Sequence, residues 1–196
     1  MFLKILILTI LFIEEIQCQG TNRTYLIKKD FISGLKGGEF TIYDPTGKTQ
    51  LFRMETKAGV THNVYLYKEK EKTKPLAFLK GKLTAILYKA NLALLNDKTN
   101  QFNNGTIQQN YKIVGNKFLI NYDNVNISME GKAASLDTNF IDQTNQNVLA
   151  KFRKRVSSLF WRNKYDLQVL SNKFPDQIYF LGVAARDHTN KKILSG

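Results

Sequence analysis

Short segments in which apolar and polar residues alternate run through most of the chain. Val125–Met129 places its apolar side chains on one face, and Tyr165–Val169 does the same. Period-two alternation of this kind is typical of a β-strand with one buried face. About twelve such segments lie between Thr24 and Leu170, with turn residues roughly every ten positions. This spacing predicts an antiparallel barrel or sandwich.

Residues with turn chemistry separate the predicted strands. In Asp44–Gly47 (Asp-Pro-Thr-Gly), proline presets φ at the second position and glycine accepts the left-handed conformation, so we expect a hairpin there. Asn103–Gly105 (Asn-Asn-Gly) carries another hairpin signal, and Asn96-Asp97 marks a further turn. These turns favour an antiparallel order of strands.

The pattern changes after Pro175. Ile178–Ala185 is apolar on all sides, and Asp176, just ahead of it, suits the N-cap of a helix. A short helix that is apolar all round must be buried all round. The alternative is one more buried strand. We favour the helix, because a barrel with this many strands needs something to fill its interior.

The first twenty residues differ from the rest. A basic start, the apolar run Ile5–Ile13 and a small-residue site near Cys18 follow the layout of a secretory signal peptide. We therefore predict a signal peptide over residues 1–20, cleaved after Cys18 or Gly20, and one barrel domain over residues 21–196. The alternative is a buried N-terminal strand. The run is shorter than the roughly 20 apolar residues that a membrane span needs.

Lysine and arginine outnumber aspartate and glutamate by 29 to 16, which gives the chain a formal net charge of +13. An excess of this size points to an anionic partner. The densest basic stretch, Gln143–Tyr165, contains no acidic residue and interleaves Phe152, Phe160 and Trp161 with its cations. We predict that these cations bind an anionic partner, since arginine can hold phosphate with two hydrogen bonds. They are Lys151, Arg153, Lys154, Arg155, Arg162 and Lys164. The alternative is a solvated basic strand face.

Little in the sequence could carry out catalysis. The single cysteine excludes an internal disulfide and a thiolate zinc site, and the two histidines, His62 and His188, lie far apart in no recognisable motif. No Gly-x-Ser-x-Gly elbow and no P-loop occur. We therefore expect no enzyme activity, no cofactor and no metal site. Three N-x-[ST] sequons, at Asn22, Asn104 and Asn126, are glycosylation candidates for a secreted chain.

Several motifs follow one another in a defined order. They are Phe40–Gly47, Phe140–Asp142 with Val148–Ala150, Tyr165–Val169 and Phe180–Asp187. In this order they resemble the tubby C-terminal-like superfamily, specifically its small LURP-one-related members, and more distantly the phospholipid scramblases. The resemblance covers most of the chain. It implies a mainly β fold, a closed antiparallel barrel of roughly twelve strands with a central C-terminal hydrophobic helix and no large ligand cavity.

The resemblance also bears on function. Tubby proteins bind phosphoinositide headgroups on the barrel surface, but no stretch here matches their lipid-binding residues. We expect a non-enzymatic barrel whose basic surface meets anionic phospholipid headgroups, an anionic membrane surface or another anionic partner. The alternative is a secreted, lipocalin-like carrier of a small hydrophobic ligand, which would need a hollow barrel. Nucleic acid is disfavoured, because the chain has no nucleic-acid motif.

The predicted signal peptide, the leader of this chain, indicates where the protein acts. If the signal peptide is cleaved, the chain is secreted or lies in the lumen of the secretory pathway. The alternative is a cytoplasmic, membrane-associated protein, as most members of the superfamily are.

Overall fold

The computed structural model describes residues 22–30, 38–57, 60–69, 71, 73–82, 87–111, 116–132, 135–156 and 163–194. These residues form twelve strands and one C-terminal helix, α1 (Gln177–Leu194). The strands are β1 (Arg23–Lys29), β2 (Phe40–Tyr43), β3 (Gln50–Lys57), β4 (Asn63–Lys68), β5 (Ala77–Lys82), β6 (Lys89–Asn96), β7 (Gln101–Asn110), β8 (Asn116–Tyr122), β9 (Val125–Gly131), β10 (Asp137–Asp142), β11 (Val148–Lys154) and β12 (Lys164–Val169).

Each strand pairs antiparallel with its neighbours in the chain, and β1 pairs with β12 to close a barrel. Closure pairs both sides of every strand, so the barrel has no free sheet edge. The closed antiparallel barrel predicted from the sequence is confirmed. We call the end where α1 begins the upper end, and the end toward which α1 runs the lower end.

Alternation along the strands separates the core from the outer face. In β4, Val64 and Leu66 are fully buried, whereas Tyr65 and Tyr67 are half-buried on the outside. The same period-two pattern of burial runs along β12. The alternation that predicted these strands therefore marks their inward-facing side chains.

α1 fills the barrel. Its first turns bury Ile178, Tyr179, Phe180 and Leu181 completely. A buried side chain of this size contributes about 1.5–3 kcal/mol, so the helix and the barrel stabilise each other. The predicted helix is confirmed, and it extends well beyond Ala185.

Aromatic rings connect α1 to two separate strands of the barrel wall. The rings of Tyr25 on β1 and Phe180 meet edge to face with their centroids 5.1 Å apart. On β10, three strands away around the barrel, the rings of Phe140 and Tyr179 do the same at 5.0 Å. Edge-to-face pairs add about 0.5–1.5 kcal/mol each to the burial of the rings. These contacts hold the helix laterally.

Asp176 connects the start of α1 to β1. Its carboxylate accepts hydrogen bonds from Arg23 Nε (2.9 Å), Arg23 Nη2 (2.7 Å) and the Tyr25 hydroxyl (2.5 Å). Its main-chain carbonyl accepts from the amides of Tyr179 and Phe180. Asp176 therefore lies at the N-cap position, as predicted, but its side chain binds a strand of the barrel.

Asp187 connects the second half of α1 to the barrel wall. It forms a buried ion pair with Lys29, and it accepts hydrogen bonds from the Tyr165 hydroxyl (2.7 Å) and the Asn163 amide (3.3 Å). Burial and the nearby carboxylate raise the pKa of Tyr165 well above its usual value, so the hydroxyl stays a donor. Because opposite charges meet here, neither is buried alone.

The turn predicted at Asp44–Gly47 is confirmed. Gly47 has φ 71°, the left-handed conformation that glycine adopts at low cost. The Asp44 carboxylate accepts hydrogen bonds from the Thr46 hydroxyl (2.9 Å) and the Lys48 amide (3.1 Å). These hydrogen bonds lower the pKa of Asp44, although the slight burial of the carboxyl acts in the other direction.

The hairpin predicted at Asn103–Gly105 is wrong. These residues lie within β7, and the chain turns earlier, at 97–100, where Asn100 has φ 56°. Gly105 serves a different purpose, since a Cβ there would lie 2.5 Å from the carbonyl oxygen of Asn121 on β8. Glycine is needed here for close approach of the strands and not for a turn.

Gly182 sets how closely α1 approaches the barrel wall. A Cβ there would lie 2.7 Å from the Phe140 ring and 3.2 Å from the Met129 sulfur. We expect Gly182→Ala to lower the free energy of unfolding by about 1–2 kcal/mol, because overpacking outweighs the better helix propensity of alanine. Urea unfolding measures this. The double variant Gly182→Ala/Phe140→Leu should lose less than the sum of the two single changes, and additive losses would contradict the contact.

Removing the Asp187 carboxylate leaves Lys29 buried without its partner. We expect Asp187→Ala to lower the free energy of unfolding by about 3–5 kcal/mol, again measured in urea. Asp97→Ala, in an exposed turn at the upper end, is the matched control and should change stability by less than about 0.5 kcal/mol. Equal losses in the two variants would show that the buried ion pair does not stabilise the fold.

Candidate anion-binding site at the lower end of the barrel

The cations predicted from the sequence lie on two adjacent strands. The described ones are Lys151, Arg153, Lys154, Arg155 and Lys164. Lys151 and Arg153 are exposed on the outer face of β11, whereas the other three lie half-buried at the lower end. Arg162, Phe160 and Trp161 lie outside the described residues.

Neighbouring strands bring acidic residues to this stretch. The register places Arg153 opposite Asp137 of β10 and Asp166 of β12. Arg153 Nε lies 3.5 Å from the Asp137 carboxylate, in an exposed ion pair. Arg155 binds Asp166 through Nη2 (2.6 Å) and Nε (2.8 Å), and these hydrogen bonds raise the pKa of Arg155. The stretch Gln143–Tyr165 therefore contains no acidic residue, but in the fold the carboxylates of Asp137 and Asp166 lie beside it.

A groove of about 550 Å³ lies on the outer face across β9–β12. Its cationic lining residues are Lys132, Lys151 and Arg153. Its acidic lining residues are Glu130, Asp137 and Asp166. The opposite charges balance, so the groove has no net attraction for an anion.

A smaller cavity of about 230 Å³ lies between α1 and the lower ends of β11 and β12. Arg186 of α1 lines it and is only 8% exposed. Its guanidinium carbon lies 5.2 Å from the centre of the Phe152 ring, a cation–π contact. Gly131 makes room for the group, since a Cβ there would lie 2.7 Å from Nη2.

The polar neighbours of Arg186 compensate its charge only in part, through the negative charge of the exposed Asp137. Nε and Nη1 are buried and have no hydrogen-bond partner among the described residues. The adjacent Asp187 is bound to Lys29, Tyr165 and Asn163. Burial lowers the pKa of the guanidinium, but arginine remains charged in proteins. The cavity therefore has a cationic wall.

Exposed apolar side chains lie at the same end. Val60 is 88% exposed, Tyr111 80% and Val156 57%, and these are the exposed large hydrophobic residues of the described ranges. They follow β3, β7 and β11, three strands that all finish at the lower end. Three separate connections at the lower end therefore expose apolar side chains to solvent.

Cations also lie at this end of the barrel, at the ends of strands and in the adjoining connections. Together they form what we call the lower rim, which consists of Lys57, Lys82, Lys89, Lys132, Lys154, Arg155 and Lys164 with Val60, Tyr111 and Val156. Lys82 and Lys89 are direct cross-strand partners, an arrangement that costs stability in the free protein. Two of the acids nearby, Asp30 and Glu39, are bound to Arg53.

The upper end has a different charge balance. Its turns carry the acids Asp44, Glu69, Glu71, Asp97 and Asp123, which offset the lysines of the same turns. Lys173, also at this end, binds the buried carboxylate of Asp142, and this hydrogen bond lowers the pKa of Asp142. The positive excess of the described residues is thus concentrated at the lower end.

Two histidines that are distant in sequence stack at the lower end. The rings of His62 and His188 lie parallel within 9°, with their centroids 4.0 Å apart. His62 Nδ1 is 2.9 Å from the Tyr88 hydroxyl, and burial raises the pKa of Tyr88. The apolar run that predicted the helix ends at Ala185, whereas α1 continues past His188 to Leu194, and this extension brings the His188 ring against His62.

The sequons lie away from the lower rim. Asn22, Asn104 and Asn126 are exposed, the first and last at the upper end and Asn104 in the upper half of β7. No helix of the described residues is long and apolar enough to cross a membrane. Within the described ranges, no group of three or more His, Cys, Asp or Glu side chains is arranged to hold a metal ion.

Comparison with known proteins identifies the family. The model of the LURP-one-related (LOR) family matches residues 23–184, from β1 into α1. No curated protein and no solved structure matches the chain, and the predicted distant resemblance to phospholipid scramblases is not shown. With a family match over most of its length and a closed barrel around a C-terminal helix, the chain belongs to the LURP-one-related family of the tubby C-terminal-like superfamily.

Proposed function

We propose that this domain is a non-enzymatic barrel that binds an anionic phospholipid surface with its lower rim. The observation that carries the proposal is the coincidence, at one end, of exposed apolar side chains and cations. Val60, Tyr111 and Val156 project from separate connections, and the rim lysines lie at the same end of the barrel. Exposed apolar residues and cations on one surface are typical of proteins that lie on a membrane.

Both parts of the rim contribute to binding. Each lysine or arginine near an anionic membrane is worth about 1 kcal/mol, and the contribution weakens as salt rises. Each CH₂ group that enters the acyl boundary adds about 0.8 kcal/mol. Together these terms give peripheral, salt-sensitive binding. The mutual repulsion of Lys82 and Lys89 is also relieved when an anionic surface approaches.

The cations predicted from the sequence take part unequally. Lys154, Arg155 and Lys164 belong to the rim, whereas Lys151 and Arg153 lie higher on the outer face of β11. Arg153 and Arg155 also have carboxylate partners. The proposed surface therefore extends beyond one sequence stretch and includes lysines from β3, β5 and β6.

The carrier alternative receives less support. A hydrophobic ligand would need the interior that α1 occupies with Tyr179, Phe180 and Leu181. The cavity of about 230 Å³ beside Arg186 is smaller than the usual pocket for a drug-sized ligand and has a cationic wall.

We also propose that the leader is removed and the protein secreted. The upper-end location of the sequons supports this, because glycans there would leave the lower rim uncovered. We expect the secreted chain to begin at Gln19 or Thr21, measured by mass spectrometry of its N-terminus. A retained Met1 in the purified native protein would contradict secretion through this leader and favour the cytoplasmic alternative.

Charge reversal within the rim tests membrane binding. We expect Lys82→Glu/Lys89→Glu to weaken binding of the full chain to vesicles of phosphatidylcholine and phosphatidylserine by at least about tenfold, because two attractions become repulsions. Sedimentation with vesicles measures this. The matched control, Lys68→Glu/Lys98→Glu at the upper end, changes the net charge equally and should bind nearly as the wild type does.

A second variant separates insertion from charge. Val156→Asn should weaken vesicle binding at low salt as well as at high salt, because it removes apolar contact with the acyl boundary and leaves the charge unchanged. Equal losses in the rim and control variants would mean that only bulk charge matters. Unchanged binding in both rim variants would refute the proposed surface.

A further inference from the structure

Arg186 is the least explained charge of the described barrel. It is 8% exposed, and its Nε and Nη1 are buried without a hydrogen-bond partner. The nearest carboxylate in sequence, Asp187, is already bound to Lys29 and Tyr165. Asp137, an exposed residue already paired with Arg153, is an acid whose charge acts on the guanidinium. Burying a cation with so little compensation destabilises the free protein, and a bound anion would offset that cost.

The cavity beside Arg186 has the donors that an oxyanion needs. Lys154 lines it and has no ion pair among the described residues. Ser135 also lines it, and its Oγ already accepts a hydrogen bond from the Asp137 amide (3.1 Å), which leaves the hydroxyl proton free to donate. Tyr165, Asp187 and Asn190 complete the polar lining, and the Asp187 carboxylate is paired with Lys29.

The dimensions of the cavity limit what can enter. A volume of about 230 Å³ accepts a phosphate with a small attached group, but lipid chains would have to remain outside. The Phe152 ring and Leu136 form an apolar side of the cavity. A guanidinium matches phosphate oxygens with two parallel hydrogen bonds, and an ammonium adds a point charge.

We propose that this cavity binds the phosphate group of a ligand, with Arg186 and Lys154 as the contacting cations and Ser135 as a hydroxyl donor. The source of the phosphate is either a soluble phosphate ester or a phospholipid headgroup. The second source rests on the proposed membrane binding, because the cavity shares Lys154 with the lower rim. Binding of a soluble phosphate ester in the cavity does not depend on membrane binding.

The binding test uses the full chain and inorganic phosphate. We expect the thermal midpoint of the wild type to rise with phosphate concentration at constant ionic strength, because a ligand of the folded state stabilises it. Arg186→Met should abolish this rise. In phosphate-free buffer the same variant should be at least as stable as the wild type, since an apolar side chain of similar volume replaces an unpaired charge.

Two further variants keep the test independent of the fold. Lys154→Met, at a half-buried position, should weaken phosphate binding by about tenfold or more in calorimetry. Lys98→Met, in an exposed turn at the upper end, removes the same charge and should bind phosphate as the wild type does. A wild type that shows no response to phosphate, or a Lys98→Met loss equal to that of Lys154→Met, would overturn the site.

Vesicles identify the source of the phosphate. If a lipid headgroup enters the cavity, Arg186→Met should also weaken binding to vesicles that contain phosphatidic acid, and soluble glycerol phosphate should compete. If the ligand is a soluble ester, Arg186→Met should bind these vesicles normally while losing the response to phosphate. If the rim variants lose vesicle binding but keep the response to phosphate, the cavity binds phosphate independently of membrane binding by the rim. A phosphate response that survives in Arg186→Met would refute it.

Discussion

The structure depends on one constraint, which is that a helix with no polar side over its first turns has to be surrounded by protein. Ile178, Phe180 and Leu181 point in different directions from α1, and all are buried. A flat sheet could cover only one side of such a helix, whereas a closed barrel covers all of them. In return the helix fills a barrel that would otherwise be hollow. Neither element has a core without the other.

The same constraint creates the chemistry of the lower end. α1 remains inside the barrel beyond its apolar segment, so Arg186 and Asp187 are buried although both are charged. Asp187 finds compensation in Lys29, Tyr165 and Asn163, and it thereby holds the helix in the barrel. Among the described residues, no group accepts a hydrogen bond from Nε or Nη1 of Arg186. Two adjacent charges in one helix thus have opposite roles, one structural and one open to a ligand.

Most of the fold could be predicted from the sequence, because each strand and the helix has its own pattern of apolar residues over a short segment. Alternation predicted strands such as Val125–Met129 and Tyr165–Val169, and uniform apolarity predicted the helix. The misplaced turn at Asn103–Gly105 shows the limit of such reasoning. Glycine serves turns and close strand approach equally well, and only the position of Asn121 on the next strand distinguishes them.

The candidate site could be predicted only in part, because charge compensation depends on cross-strand register. The stretch that contains Arg153 and Arg155 has no acids of its own, yet Asp137 and Asp166 reach it from the neighbouring strands. The cavity is likewise assembled from segments distant in sequence, and the rim draws on β3, β5, β6 and β7. A signal for Arg186 was nevertheless present, since a charge directly after a uniformly apolar helical segment must lie close to the interior.

The filled interior also decides where this family member can act. A barrel occupied by its own helix has only outer faces and ends to offer a partner. The described outer groove across β9–β12 balances its charges, and at the upper end Asp176 and Asp142 are bound within the fold. The lower end combines exposed apolar groups, several lysines and a buried guanidinium. Because α1 delivers Arg186 to that end and also forms the core, the packing that stabilises the barrel sets the position of the proposed site.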